Sequence, residues 1–378
     1  MEITISAIKA DVGSIAGHTK PSKQMIQRAE ELIKKAIKDN LIIDGTVTHT
    51  GDDIALIMSH THGNDSNDIH MFAWNCFLEC AAIARTQGCY GAGQDLLATA
   101  PSGNVRGAGP GVAEITFSLL PEHRKAEAFT IITADKCSPG AFNLPLLLAF
   151  ADPMYCAGLM LPQLIKGFTF TLVDMNHKGP DLLSLELSAP EDLYKLAILL
   201  RDNERFGIKS IHSRTYNEQA VSASTDRLHS IAGTYTGKDD PIAIVRTQGI
   251  FPACEELLYP FTKTAYVAGN ARGSHNMPLM PVAINSAVTS FYCIPIVSCI
   301  GFSLAPNGTF SHQYVDFFDS DAWNVVRTQA QEKALAIRSQ GWSGAAMLPY
   351  SELEYSGYRA VIKELENQFS SSIPNKGK

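Results

Sequence analysis

The stretch LIIDGTVTHTGDDIALIMSH, residues 41 to 60, holds two strand-like runs, 41 to 49 and 53 to 60, with only a few residues between them. A connection that short cannot carry the crossover that parallel neighbours need, so the two runs are expected to pair antiparallel. Upstream, residues 3 to 10 alternate like a strand, and 22 to 39 form an amphipathic helix with Met25, Ala29, Leu32, Ile33 and Ala36 on one face. Downstream, Ile69, Phe72, Ala73, Cys76, Phe77 and Cys80 recur at helical spacing within 67 to 87. The first quarter therefore reads β-α-β-β-α. Residues 88 to 113 are too rich in Gly and Pro for a regular element and read as a loop. Further strands are expected at 129 to 134, 157 to 161, 168 to 174, 207 to 215 and 242 to 247, and helices near 191 to 203, 253 to 258, 322 to 339 and 352 to 368. Short connections between several strands favour one α/β (α+β-like) domain over 1 to 378, with mixed and antiparallel sheets and a flexible tail from about 370.

The 378 residues are 45% hydrophobic and 18% charged, enough for a sizeable core. A formal charge of −7 without an extended Lys/Arg block argues against nucleic acid and anionic lipid as partners. No apolar run approaches the length of a membrane-spanning helix, and MEITISAIKAD lacks the features of a signal peptide. The eight cysteines show neither CxxC pairs nor the density of a disulfide scaffold, so a reducing cytoplasm is the expected location.

The chemistry lies in acidic residues at strand ends. Asp11 follows the first strand, Asp52 and Asp53 precede the 53 to 60 run, and Asp135 follows 129 to 134; Asp239 and Asp240 add a second adjacent pair. A single strand-end Asp is more often a turn or a cap. Together they make an oxygen-rich set of the kind that binds hard cations such as Mg²⁺. His18 in DVGSIAGH is either a ligand, a phosphate contact or a solvated loop residue. His60 and His62 in SHTHG have a zinc-compatible spacing, but no third ligand stands at a recognisable distance, so a core or surface pair is expected. The glycine-rich SGNVRGAGPG fits neither a Walker loop nor a dinucleotide fingerprint, although Asn104 and Arg106 could help its backbone wrap an anion. Arg272 and His275 offer a second such loop. Lys238, in GTYTGKDDP, is the most pointed residue. Adjacent carboxylates stabilise an ammonium, whereas an imine-forming lysine must be neutral; cations held by Asp239 and Asp240 would reverse the local field. Tyr235 is placed to move the protons of imine chemistry, and the bland alternative for the whole stretch is an exposed turn.

In order along the chain, IKADVGSIAGH, GDDIALIMSHT, YGAGQDLL, SGNVRGAGPGVAE, ADKCSPGAFNLPL, GTYTGKDDP, RGSHNMPLMP and EYSGY resemble the fructose 1,6-bisphosphate aldolase/phosphatase family of archaea and thermophilic bacteria. The resemblance implies a gluconeogenic, Mg²⁺-dependent enzyme that condenses dihydroxyacetone phosphate with glyceraldehyde 3-phosphate and then removes the C1 phosphate to give fructose 6-phosphate. It also implies a layered α-β-β-α sandwich and a homo-octamer. By this resemblance Lys238 forms the Schiff base and Tyr235 is its proton donor and acceptor. Asp11, His18, Asp52, Asp53, Gln94, Asp135, Asp239 and Asp240 match positions around several Mg²⁺ ions. Tyr90, Gly103, Asn104, Lys136, Gln248, Arg272 and Tyr355, with His18, match contacts to the sugar phosphate. Two departures stand out: Gly249 replaces a histidine of the family pattern, and SFYCIP at 290 to 295 replaces an Arg-Phe-Asp-Gly-Pro stretch, removing an acidic substrate contact near Tyr292 and Cys293. Two alternatives stay open, a Mg²⁺-dependent sugar-phosphate phosphatase with weakened aldolase activity and a noncatalytic sugar-phosphate-binding homologue.

Overall fold

The computed structural model describes residues 2–96, 109–175, 183–224, 239–269, 275–288, 294–310, 313–340, 356–366 and 368–369. Strands β1 (Glu2–Asp11), β2 (Asp44–Thr50), β3 (Asp53–His60) and β4 (Gly111–Ser118) form an antiparallel sheet in the order β2-β3-β1-β4. Thr50 pairs with Asp53, so the 41 to 60 stretch is a hairpin whose turn is Gly51 and Asp52. Its first strand begins at Asp44 rather than 41.

A second sheet is built from β5 (Glu127–Asp135), β6 (Phe168–Asp174), β7 (Ser184–Ala189), β8 (Phe206–Ser213), β9 (Gln219–Ala223) and β10 (Ile242–Thr247). A separate ribbon pairs β11 (Tyr266–Ala268) with β12 (Asn276–Pro278), while β13 (Met280–Pro281), β14 (Ile296–Leu304) and β15 (Val315–Asp316) extend the second sheet. Its order is β13-β14-β5-β10-β9-β8-β6-β7, with β15 on β14. The β13–β14 pair is parallel and the other pairs are antiparallel.

Alternation sorts the side chains into layers. Ile3, Ile5, Ala7, Ile57 and Ile115 of the first sheet meet Phe129, Ile131, Ile244 and Ile300 of the second. Helices α1 (Lys23–Lys38) and α2 (Asn67–Thr86) cover the other face of the first sheet, where Met25, Ile33, Phe77 and Cys80 pack on Ile8, Ile54 and Leu56. Ser22 accepts a hydrogen bond from Met25 N and caps α1. On the far face of the second sheet lie α3 (Asn143–Ala151), α4 (Leu193–Leu200) and α5 (Cys254–Leu258). The result is an α-β-β-α sandwich. Helix α6 (Asn324–Arg338) packs on β12 to β14 through Ala330, Ala334 and Ile337, and α7 (Ser356–Glu366) is the last helix.

Several expectations are corrected. Residues 157 to 161 are not a strand: Ala157–Met160 is a single 3-10 turn, because an apolar run this short carries no period that separates strand from turn. The glycine-rich loop ends three residues early, where β4 starts at Gly111. Strands β4, β7, β9 and β11 to β15 and helix α3 were not expected. No helix among the described residues is long and apolar enough to cross a membrane.

Candidate active site

Strand ends from both sheets meet at one edge of the sandwich. Asp11 closes β1 and pairs with Asp53 at the start of β3. On the facing sheet, Asp135 closes β5, and β10 enters beside it with Ile242 opposite Thr133. Just before β10, Asp240 is fixed by a reciprocal pair: its main-chain N–H donates to Cys137 O (3.0 Å), and its Oδ1 accepts from Cys137 N (2.8 Å). Asp240 and Lys136 both have left-handed backbone, at φ 50° and 63°. Non-glycine residues take that conformation at a cost, and such strain gathers at functional sites.

The two sheets touch through these groups. Asp52 N–H donates to Asp135 Oδ2 at 3.2 Å, and Lys136 Nζ binds both Asp52 Oδ1 and Asp135 Oδ1, the latter at 2.8 Å. His18 Nδ1 lies 3.1 Å from Asp52 Oδ2, and its ring meets Tyr90 edge-on with centroids 5.0 Å apart. Asp95 Oδ2 accepts from Asp11 N at 2.8 Å, which brings the segment carrying Gln94 to the same edge. Ligand atoms of Asp52, Asp53 and Asp135, and separately of Asp11, His18 and Asp52, converge within 4.8 Å of one another.

Electrostatics show a shortage of positive charge. Asp11, Asp52, Asp53, Asp135, Asp239 and Asp240 outnumber the ammonium groups of Lys9 and Lys136 three to one. Burial and the neighbouring Asp52 push the Asp11 carboxyl well up; burial, with Asp52 and Asp53, does the same to Asp135, only partly offset by Lys136. Asp240 is raised to about 7 by burial and by Asp239 and Asp53. Burial opposes ionisation of Asp52 as well, but Lys136 and His18 outweigh it and hold that carboxyl below the usual range. Burial lowers the Lys136 ammonium, which Asp135 and Asp52 more than restore. Burial and mutual repulsion thus oppose ionisation of Asp11, Asp135 and Asp240.

The donor set fits a hard divalent cation. It is almost all oxygen, and the amide Oε1 of Gln94 is buried without a hydrogen-bond partner. Asp11, His18, Asp52, Asp53, Asp135 and Asp240, with Gln94 alongside, are the residues that could hold such ions.

Of the residues anticipated from sequence, Tyr90 and Lys136 also lie here. Gln248 does not: it follows β10, whose six residues separate it from Asp240 by roughly 20 Å. There its carbonyl accepts a 2.6 Å hydrogen bond from Arg124, at the end of the sheet where Thr247 pairs with Ala128. Lys238, Tyr235, Gly103, Asn104, Arg272 and Tyr355 lie outside the described residues. The loop residue Arg106 does too, whereas His275 is buried beside Arg338, 3.0 Å away. Residues not anticipated include Asp95, Ser14, which donates to Asp52 Oδ2 at 3.3 Å, and above all Lys9. The signal for Lys9 was a lysine continuing the inward row Ile3, Ile5, Ala7. His60 is a core residue, hydrogen-bonded to Ser6 Oγ at 2.7 Å, as the bland reading held; Asp65, His70 and Glu114 form a separate cluster nearby.

Comparison with known proteins places the whole chain. The family model for fructose-1,6-bisphosphatase matches residues 2–370. A Thermus thermophilus protein named fructose-1,6-bisphosphate aldolase/phosphatase is 50% identical over 371 residues, covering 98% of this chain and all of that one. Proteins of the same name from Cenarchaeum symbiosum and Moorella thermoacetica are 45% and 44% identical, each over 97% of this chain and over 95% and 94% of their own lengths. The chain belongs to the fructose-1,6-bisphosphatase family.

Proposed function

We propose that the chain is a bifunctional, Mg²⁺-dependent fructose 1,6-bisphosphate aldolase and phosphatase. The observation that carries this reading is the convergence of Asp11, Asp52, Asp53, Asp135 and Asp240 at one edge, with too little positive charge to balance them. The names of the relatives support both activities.

When bound, Mg²⁺ would supply Lewis acidity toward a phosphoryl oxygen and offset the charge of two triose phosphates. The chain's own residues do the rest. Lys136 places an ammonium at the rim of the carboxylates, where it can bind a phosphate oxygen as well as Asp52 and Asp135. His18, engaged with Asp52 through Nδ1, keeps Nε2 for a ligand or a proton. Asp52 and Asp135 fix each other across the sheets, so the geometry is set before substrate enters. In the condensation, the Lys238 amine adds to the ketone carbon of dihydroxyacetone phosphate and water leaves, giving the imine. Tyr235 then passes the proton that carbon–carbon bond formation requires. Gly103, Asn104, Arg272 and Tyr355 complete the sugar-phosphate contacts in this reading.

Gln248 reaches a substrate at this edge only from a neighbouring copy, in keeping with a homo-octamer. Exposed apolar side chains over the second sheet, among them Met154, Ile165, Tyr194 and Ile198, give such copies a surface on which to meet. Free cysteines among the described residues suit a cytoplasmic enzyme. The test is a paired assay of the parent and Lys238→Ala for condensation and for phosphate release. Condensation should be abolished and borohydride trapping of dihydroxyacetone phosphate lost, while some phosphate release remains. Equal loss of both activities in a folded variant would contradict separate roles.

A further inference from the structure

Lys9 has no exposed surface and sits midway between the two sheets, in register with Ala55 on one side and Gly111 on the other. The row it continues, Ile3, Ile5 and Ala7, belongs to the apolar layer between the sheets. A buried ammonium there is costly unless it is both paired and hydrogen-bonded. The structure supplies both. Nζ ion-pairs with Asp53 Oδ2 and donates a 2.6 Å hydrogen bond to the carbonyl of Ala134, the residue before Asp135 on the facing sheet. A carboxylate oxygen and a main-chain carbonyl oxygen are the donors a hard cation takes. Here a covalently attached ammonium holds them.

The contrast with Lys136 is instructive. Lys136 follows a strand end, outside the ladder, and pairs with Asp52 and Asp135; Lys9 is locked inside a strand paired on both sides.

We propose that Lys9 is a built-in monovalent cation of the acidic centre. It fills one cation position between the sheets, holds the Asp53 carboxylate against β5, and so sets how many exchangeable divalent ions the centre takes. This rests on reading the carboxylate cluster as a metal centre. Lys9 is a positioning residue: it acts on substrate only through Asp53 and its neighbours.

The test is equilibrium dialysis of chelator-stripped full-length protein against Mn²⁺, for the parent, Lys9→Ala and Lys9→Met/Asp53→Asn. The parent should bind Mn²⁺, Lys9→Ala, which vacates the position of Nζ, should bind one further equivalent per chain, and the double variant should lack that extra equivalent because it leaves neither room nor unmatched charge there. Identical Mn²⁺ stoichiometry and dissociation constants for the parent and Lys9→Ala would overturn the inference while leaving the metal centre intact. A parent that binds no Mn²⁺ would instead overturn the metal reading beneath it. If Lys9→Ala does not fold, the double variant should, since it keeps the volume and buries no lone carboxylate; a double variant that also fails to fold would contradict the proposal.

Discussion

Gly51 stands where no side chain fits. Its φ is 58°, and an added Cβ would lie 1.6 Å from Asp135 Oδ2. Gly51→Ala should therefore displace a carboxylate of the centre rather than merely strain a turn. We expect phosphate release to fall at least tenfold, with a stability loss of about 1–3 kcal/mol in urea unfolding. Asp135→Asn, which keeps the shape but removes the charge, should lower phosphate release on the order of 10²–10³-fold, the range seen when one preorganised electrostatic group is lost. The raised carboxyls also bear on stability. A carboxyl whose folded pKa lies above its unfolded one keeps a proton in the native state that the unfolded chain has released, so its stabilisation is present at low pH and lost as pH rises. For Asp240 that window runs from the ordinary carboxylate value to about 7, and Asp11 and Asp135 act in the same direction. Asp52 acts oppositely, losing its stabilisation as pH falls below the ordinary carboxylate range. Chelator-stripped protein should accordingly show a Tm that declines between about pH 5 and 7, and saturating Mg²⁺ should flatten the decline. A Tm that rises over that interval without metal would count against the charge balance described here. The acidic residues were legible because an Asp just beyond an alternating run marks a strand end. Lys9 was not, because a strand lysine is usually solvent-facing, and only the second sheet reveals what it meets.

At the scale of elements, the layer between the sheets holds the two halves of the site in register. Phe129 on β5 packs against Phe302 and Phe310, with ring centroids 5.1 and 6.0 Å away. Phe129→Ala should cost about 3–5 kcal/mol in urea unfolding. A loss below 1 kcal/mol would mean that this layer does not carry the stability assigned to it. Elements with a clean period were readable: β6 and β10 match their expected bounds, α1 differs by one residue at each end and α2 by one at its C-terminal end. Those without one were not. In α3, NLPLLLAFA is apolar almost all round and carries a proline in its first turn, so it shows neither a helical stripe nor an alternation. β4 begins within a glycine-rich stretch, and its ladder is fixed by β1 rather than by local preference.

Over the whole molecule, two sheets with unrelated local sequences place their acidic strand ends at one edge. The hairpin at 41 to 60 foretold antiparallel pairing, and the edge itself follows from the register of β1 with β3 and of β5 with β10. No single segment contains that register; it is set by which rows of Ile, Ala and Phe interdigitate between the sheets. The position of Gln248, at the opposite end of β10, was likewise invisible until the strand direction was known. The most direct test is phosphate release from fructose 1,6-bisphosphate by chelator-stripped protein, before and after Mg²⁺ is added back. Release should be nearly abolished by stripping and restored by Mg²⁺; release that persists unchanged in excess chelator would contradict a carboxylate-held metal centre.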